Sequence, residues 1–410
     1  MEDTTGAKVD RYIDYRKVLQ RDDIDGVVIA TQNHWHAPTT IHACQAGKHV
    51  YVEKPVCHTI WEGRKAIEAA RKYDRVVAAG FQSRSMGGVV EALTLVREGA
   101  LGPIQQVRGL CYRNRKGIGR RDEPLSAPKS VDYDLWLGPA ADEPILRTSL
   151  HYDWHWVFNT GNGDMGNQGP HELDILRMVL GDPGHPKSVA SFGGRFGWDD
   201  AGDTPNMQCA LFDFGKEAPV NFEVRNLYQK DQPSVGRHPR DPGVGIHVTC
   251  EGGEYRGGRG GGAFYSPNGK VLRTFAGEDG APHMQNFIDA AHRGDPSGVN
   301  SPVESAYHSA CLSHLANIAV RCGRDAGASD IADELGRHGA SGELGMECFE
   351  RFSEQLDLWS VNTAKTPWRL GTGLVFDPEA EQYTAGPNVE AAQAMVRRED
   401  RKPFVVPDTV

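Results

Sequence analysis

The first hundred residues alternate short apolar runs with amphipathic stretches. "DGVVIAT" (25–31), "HVYVEKP" (49–55) and "DRVVAAG" (74–80) have the length and β-branched content of strands. Between them, "APTTIHACQAG" places Ala37, Ile41 and Cys44 at helical spacing and stops at Gly47. "TIWEGRKAIEAARKY" sets Ile60, Ala66, Ile67 and Ala70 on one stripe behind a Thr59–Glu62 capping box. Strand and helix in alternation predict a parallel α/β unit, and the near-continuous apolar strands fit a sheet covered on both faces. A further helix is expected over about 87–98, closed by Gly99.

From about residue 188 the period changes. "KSVASFGGRF", "NMQCALFDFG", "APVNFEVRNLY", "GIHVTCEGGEY" and "GKVLRTF" follow one another as strands without helices between them, which predicts a mostly antiparallel sheet. Asn268-Gly269 marks a hairpin. Helices return at about 282–293 and 301–322, and the last stretch reads as a mixed, partly extended tail. The expected organisation is α/β: a parallel-sheet domain over 1–103, an α/β domain with a large, mostly antiparallel open sheet over 104–340, and a C-terminal extension over 341–410 that packs on both.

Composition narrows the partners. With 39% hydrophobic and 24% charged residues, a chain of 410 residues can build buried cores. The formal net charge is −10 and no lysine–arginine cluster is long enough to neutralise a row of phosphates, which argues against nucleic acid and against an anionic membrane surface. Eight cysteines, at 44, 57, 111, 209, 250, 311, 322 and 348, form no C-x-x-C and read as isolated reduced thiols. No apolar run reaches transmembrane length, and residues 1–20 are polar.

In open parallel sheets, ligands bind beyond the carboxyl ends of the strands. Those ends here read Thr31-Gln32-Asn33-His34-Trp35-His36, Glu53-Lys54-Pro55 and Gly80-Phe81-Gln82-Ser83-Arg84. Three adjacent polar ends predict a crevice. Pro55 stops ladder donation and fixes φ, and a partly desolvated Lys54 can polarise a hydroxyl or stabilise its alkoxide; the plainer alternative is a Glu53–Lys54 surface pair. In "TGNGDMGNQGPHELDILRMVL" (160–180), Pro170 suits the first helical position. Leu173, Leu176, Val179 and Leu180 form an apolar stripe, and His171 and Asp174 share another face. The helix dipole disfavours imidazolium in the first turn, leaving a neutral base for a hydroxyl proton; a histidine that only caps or packs is the alternative. "LHYDWHW" (150–156) would align His151, Asp153 and His155 on one face of a strand, interleaved with Tyr152, Trp154 and Trp156. Ligands so few and so close in sequence argue against a metal, and the aromatic faces suit a sugar ring. Tyr112, Arg113, His155 and Asp174 are the substrate-contact candidates, with Arg115 beside them.

The segments "VVIATQNHWHA", "GKHVYVEKPV" and "GNQGPHELDILRMVLG" resemble the Gfo/Idh/MocA family, named from glucose–fructose oxidoreductase, inositol dehydrogenase and a rhizopine-catabolism protein. The resemblance covers roughly residues 10–325. It implies a Rossmann domain holding NAD or NADP, then an α/β domain that binds a sugar or polyol and pairs subunits into a homo-oligomer through its open sheet. It implies that Lys54 and His171 flank the reacting carbon, with Asn167 beside them as the third catalytic candidate. Thr31, Asn33, His34, Trp35, His36, Glu53, Lys54, Pro55 and Gln82 then line the cofactor crevice. The implied reaction is hydride transfer from a CH–OH group of a sugar, glycoside or polyol. Glycoside cleavage through transient oxidation with a recycled cofactor, and a non-catalytic sugar-binding or assembly subunit, stay open. Many family members carry an aspartate four residues before the histidine. Here that position is Asn167, which can orient a hydroxyl but has no charge with which to tune a pKa; Asp164 is near but out of register.

The resemblance also implies a glycine-rich turn between a first strand and its helix, opening onto the pyrophosphate. Gly258-Arg259-Gly260-Gly261-Gly262-Ala263 fits the bare G-x-G-x-x-G/A expression, but the "FYSPNGKVL" that follows is a hairpin and not a helix. Aligned to the family, residues 1–31 correspond to the third strand, its helix and the fourth strand, so an incomplete Rossmann domain is expected, with about 50 residues of a first βαβ unit upstream. A fragment or late start, a shift of segment 8–14, or another chain are the three ways to account for this. Strand 25–31 is expected at an open sheet edge. NAD versus NADP and localisation stay open, and NAD(P) binding by residues 1–410 is expected to be weak or absent.

Overall fold

The computed structural model describes residues 8–216, 218–227, 242–277 and 280–410. A short helix α1 (Tyr15–Leu19) is capped by the Asp14 carboxylate, which accepts the Arg16 amide. Then β1 (Gly26–Ile29), α2 (Asn33–Gln45), β2 (His49–Val52), α3 (Ile60–Lys72) and β3 (Val77–Ala79) alternate. The strands pair in parallel in the order β1-β2-β3. The capping box forms as expected: the Thr59 hydroxyl accepts the Glu62 amide while the Glu62 carboxylate reaches back to the Thr59 amide. A 3₁₀ turn at Gln82–Ser85 leads into α4 (Gly87–Arg97). Among the described residues β1 pairs only with β2, and Val28 is 60% exposed on that open edge.

Helix α2 starts four residues before the sequence pattern suggested and runs straight through Pro38. A proline there has no N–H for the carbonyl one turn back, that of His34. Arg398 Nη2 donates to this carbonyl at 3.1 Å, so a residue of the distant C-terminal segment satisfies what the proline leaves open.

Strand β4 (Ile104–Tyr112) opens the second sheet. After it come α5 (Tyr133–Leu137), α6 (Gly163–Asn167) and α7 (Gly169–Val179). Strands β5 (Ser188–Gly194), β6 (Met207–Asp213), β7 (Val220–Arg225), β8 (Val244–Cys250), β9 (Gly253–Gly258), β10 (Gly261–Tyr265) and β11 (Val271–Ala276) follow. "GIHVTCEGGEY", read above as one strand, is a hairpin of β8 and β9 turned at Glu251-Gly252. The chain continues through α8 (Ala281–Arg293), α9 (Val303–Cys322), β12 (Arg324–Ala326), α10 (Ala328–Leu335) and α11 (Gly339–Leu358). It finishes with β13 (Trp368–Gly371), β14 (Val375–Asp377), β15 (Gln382–Ala385) and α12 (Val389–Val396). The main path of the sheet runs β11-β10-β9-β8-β4-β7-β6-β5-β13-β12. β4 and β7 are parallel and the other pairs antiparallel. The tail is therefore more ordered than its sequence suggested, because α11 and β13 gain their stability from this sheet.

Each face of the large sheet is covered differently. Helix α7 lies on one face, so close that a Cβ on Gly109 would meet Phe222 at 2.4 Å and Leu176 at 3.3 Å. On the other face α11 packs Cys348, Phe349, Phe352 and Leu356 against Phe192, Cys209 and Leu211. Over β6 and β7 this second face is covered by the chain's own helix. Helices α8 and α9 return to the small sheet: Phe287 and Ala290 cover Tyr51, Val76 and Ala78, and His314 Nε2 lies 3.5 Å from Cys57 Sγ beside α3. Among the described residues no helix is long and apolar enough to cross a membrane.

Candidate functional site

Strand β2 ends where α6 gives way to α7, and Lys54 crosses the gap. Its Nζ donates to the Asn167 carbonyl at 2.9 Å and approaches Asn167 Oδ1 at 3.3 Å. Asn167 Nδ2 in turn donates to Asp164 Oδ1 at 3.3 Å. Asp164, fully buried, is held by Arg115 through Nε at 2.8 Å and Nη2 at 2.9 Å, and accepts Asn226 Nδ2 at 2.6 Å. The carboxylate that the sequence put out of register therefore does reach the site, one residue behind Asn167. Its i, i+3 spacing to Asn167 on α6 was the signal for it.

His171 is the third residue of α7, after Gly169 and Pro170, and is buried with Phe81 set edge-on at 6.0 Å. Its pKa lies well below the ordinary histidine value, first through burial and then through the charges of Lys54, Arg259 and Arg113. Burial and neighbouring cations keep the imidazole neutral, and the first turn of α7 works in the same direction. Burial also lowers the Lys54 pKa, while Glu53, Glu172 and Asp164 oppose that change. Glu172 accepts Gln168 Nε2 at 3.0 Å on one oxygen and has no partner on the other. Burial pushes its carboxyl up to about 8. Lys54, Asn167 and His171 thus form one cluster at the mouth of α7, and Asp164, Glu172 and Arg259 join it without having been singled out from sequence.

The strand ends divide into two kinds of residue. Gln82 Nε2 donates to the Tyr51 hydroxyl at 3.2 Å and lies 3.5 Å from Glu53 Oε1, while its own buried Oε1 has no partner. Pro55 follows Lys54 and is buried, and exposed Thr31 borders a cavity of about 350 Å³ lined also by Gln32, Trp35 and Trp136. An orphaned amide oxygen at a strand end fits a polar ligand such as a nicotinamide riboside. The described residues include no glycine turn between a parallel strand and its helix to cradle a pyrophosphate; Gly258 to Ala263 is the β9–β10 hairpin.

His34, Trp35 and His36, expected to line the crevice, are tied to the protein instead, because α2 begins at Asn33. His34 places its two ring nitrogens against the Thr160 and Trp136 carbonyls at 3.2 and 3.1 Å, and Trp35 Nε1 donates to the Leu135 carbonyl at 2.9 Å. His36 sits between the Pro55 and Thr31 carbonyls at 2.6 and 3.0 Å, joining two strand ends. Asn33 Nδ2 donates to Asn162 Oδ1 at 3.2 Å. These bonds hold the crevice wall and occupy both ring nitrogens of His34 and His36, while Trp35 lines the cavity beside Thr31.

The substrate candidates separate in the same way. Asp174 is fully buried and gripped by Arg84 at 2.8–3.0 Å, with the Ser309 hydroxyl donating at 2.7 Å, so it has no lone pair facing the crevice. Tyr112 points to the α11 face, where its hydroxyl donates to Glu223 and Arg225 stacks 4.3 Å over its ring. Arg113, one residue on, returns to the α7 face, is exposed and bears on His171 and Lys54. Residues Asp153–Trp156 form a 3₁₀ turn and not a strand, so His151, Asp153 and His155 share no face. His155 stacks on Trp154 at 3.6 Å, and burial lowers its pKa to about 4. Tyr152 beside it has φ +67°, a costly conformation for an aromatic residue, and its hydroxyl accepts Arg115 Nη1 at 3.3 Å.

Residues 2–81 match a family described as oxidoreductase, NAD-binding Rossmann fold, and residues 95–193 match the C-terminal alpha/beta domain of the same oxidoreductases. A levoglucosan dehydrogenase of Pseudarthrobacter phenanthrenivorans is 38% identical over 172 residues, 41% of this chain and 36% of that protein. Glycosyl hydrolase family 109 protein 1 of Shewanella sp. (strain ANA-3) is 33% identical over 92 residues, 22% of this chain and 20% of its own length. The WlbA dehydrogenase of Bordetella pertussis, solved with NADH and UDP-GlcNAcA, superposes with a TM-score of 0.52 at 18% identity over 76% of this chain and 80% of that one. At that identity the likeness is one of fold. The matches span about a fifth to a half of the length of these curated relatives.

Proposed function

From the premise that the chain belongs to the Gfo/Idh/MocA oxidoreductases, we propose that it oxidises a CH–OH group of a sugar, glycoside or polyol, using NAD or NADP, in the crevice between the ends of β2 and β3 and the start of α7. The observation that carries this reading is the contact of Lys54 with Asn167 across that crevice, which sets an ammonium beside the turn that bears a neutral, buried His171. The similarity to a levoglucosan dehydrogenase supports the sugar.

The nicotinamide, when bound, supplies the hydride acceptor. His171 takes the proton of the reacting hydroxyl, which its lowered pKa permits throughout the neutral range. Lys54 stabilises the oxygen that loses that proton, and Asn167 and Asp164 fix the ammonium by the chain of hydrogen bonds behind it. Glu53 and Gln82 border the nicotinamide end, with Thr31 and Pro55 at its margins. Tyr152 and His155 offer ring faces to the sugar, and Arg113 a donor.

Incubation with NAD⁺ or NADP⁺ and a panel of pyranoses and polyols, followed by nicotinamide absorbance, tests the reading. Reduction that survives both Lys54→Ala and His171→Ala rules it out. A second reading, glycoside cleavage through transient oxidation, is favoured by the similarity to the Shewanella glycosyl hydrolase. Its signature is release of the leaving sugar or alcohol with no net change in reduced nicotinamide.

A further inference from the structure

The crevice holds cations without matching anions. Arg113 and Arg259 are both exposed, and neither guanidinium has a hydrogen bond or ion pair among the described residues. Their positions are nonetheless fixed. Alternation along β4 buries Cys111 in the core that includes α7, turns Tyr112 to the α11 side and brings Arg113 back toward α7. The Arg113 carbonyl accepts Asn226 Nδ2 at 3.3 Å, and the same Nδ2 donates to Asp164. Arg113 is thereby anchored beside the hydrogen-bond chain that ends on Lys54.

Arg259 comes from the opposite wall. Gly258 pairs with Gly261 across the β9–β10 hairpin, so Arg259 and Gly260 form a two-residue turn. From its tip the guanidinium reaches the small sheet: Arg259 Nη2 lies 4.0 Å, and Gln82 Cγ 3.7 Å, from the point where a Cβ on Gly280 would stand. Arg259 therefore arches over the strand end that carries the orphaned Gln82 oxygen.

The nearby acids offset Lys54 in part, Glu53 most, but among the described residues none pairs with the Arg113 or Arg259 guanidinium. Asp164 is committed to Arg115, and Glu172 keeps its proton to about pH 8. Glu53 faces its own chain's Lys54 amide and Gln82. Lys54, Arg113 and Arg259 all bear on His171, and a neutral polyol would leave two guanidinium forks without an acceptor.

We propose that the substrate is an acidic sugar, a pyranose carrying a carboxylate, whose charge is received by Arg113 and Arg259 while its reacting hydroxyl lies between Lys54 and His171. This rests on the dehydrogenase reading of the crevice and narrows it. The guanidinium fork accepts a carboxylate through paired N–H donors, a geometry that a hydroxyl does not reproduce. The two arginines come from different walls of the crevice, so an acid that engages both is fixed in position as well as bound.

The test is calorimetric titration of the full chain, with and without nucleotide, with matched pairs: glucose and glucuronate, galactose and galacturonate, N-acetylglucosamine and its uronate. At least one acid is expected to bind about tenfold or more tightly than its neutral partner. Arg113→Gln and Arg259→Gln should each remove most of that preference, weakening the acid by about tenfold or more relative to its neutral partner. The inference is overturned if no acid in the panel exceeds its neutral counterpart, or if the preference survives in the double variant. It is also overturned if the two substitutions weaken only NAD⁺ or NADP⁺ binding, which would assign the guanidiniums to the cofactor. Hydride transfer measured in parallel separates the two claims: reduction on neutral sugars with no acid preference sinks this one alone. Acid preference with no reduction on any sugar sinks the dehydrogenase reading alone.

Discussion

Two clusters of charge flank the end of β4, one on each face of the large sheet, and consecutive residues feed them. Tyr112 joins Glu223, which also accepts Arg108 at 3.2 Å, Arg351 at 2.8 Å and Asn221 Nδ2 at 2.9 Å. That carboxylate is fully buried, and its pKa is held far below the usual range by the two guanidiniums despite its burial. Arg113 joins Lys54, His171 and Glu172, where one guanidinium and one carboxyl oxygen have no partner. The first cluster sets two guanidiniums on one carboxylate and ties α11 to the sheet, with Arg351 Nε and Asn221 Oδ1 left without a partner. The second leaves donors and acceptors unfilled at the edge of solvent. Whether each guanidinium has a carboxylate to hold, more than burial, separates a strut from a site.

The contrast is broken most directly at Lys54 and His171. Alanine at either position is expected to lower kcat/KM for the proposed oxidation by about 10²–10⁴-fold, with little change in thermal midpoint; a large loss of stability in place of lost turnover would make this cluster the strut. Next comes Glu223→Ala, which strips the shared partner from Arg108 and Arg351. It should cost about 3–5 kcal/mol in urea unfolding, and unaltered stability would remove the distinction drawn here. Activity per folded molecule should persist in that variant.

A smaller effect sharpens the comparison through pH. Glu172 has its pKa raised to about 8 in the folded protein, so the unfolded chain releases this proton at much lower pH than the native state does. The native state therefore binds more protons between about pH 4.5 and 8, and this group's contribution to stability declines as pH rises through that window. Glu172→Gln has nothing to titrate and should lack that part of the slope; identical pH–stability curves for the two proteins would contradict it. Smallest is Thr59→Ala, which removes the α3 cap and touches neither cluster's hydrogen bonds. It should cost about 1 kcal/mol and leave turnover unchanged, giving the baseline against which the other variants are read by chemical denaturation.

Lys54 and His171 were legible because their placement is local: a strand that ends on a proline, and a proline-led helix. The parallel unit, the capping box and the switch to antiparallel strands were legible for the same reason, since each repeats a short period. What the sequence could not convey depends on residues far apart. The helical spacing reads from Ala37, but α2 begins at Asn33, where the distant Arg398 takes the His34 carbonyl that Pro38 leaves open and His34 and His36 bond to backbone carbonyls. Asp174 looks like a site residue beside His171 until Arg84 claims it from another domain. Arg259 sits in a glycine-rich turn that fits the bare phosphate-loop pattern, and its reach toward Gln82 depends on how two sheets are set against each other.

The return of α8 to the small sheet has a consequence for synthesis. Tyr51, Val76 and Ala78 are made early, but Phe287 and Ala290, which cover them, emerge about two hundred residues later. At typical translation speeds the interval is on the order of ten to forty seconds. Throughout it the nascent parallel sheet has a bare oily flank, and a ribosome-bound chain stalled before residue 281 should recruit holdase chaperones there until the helix arrives.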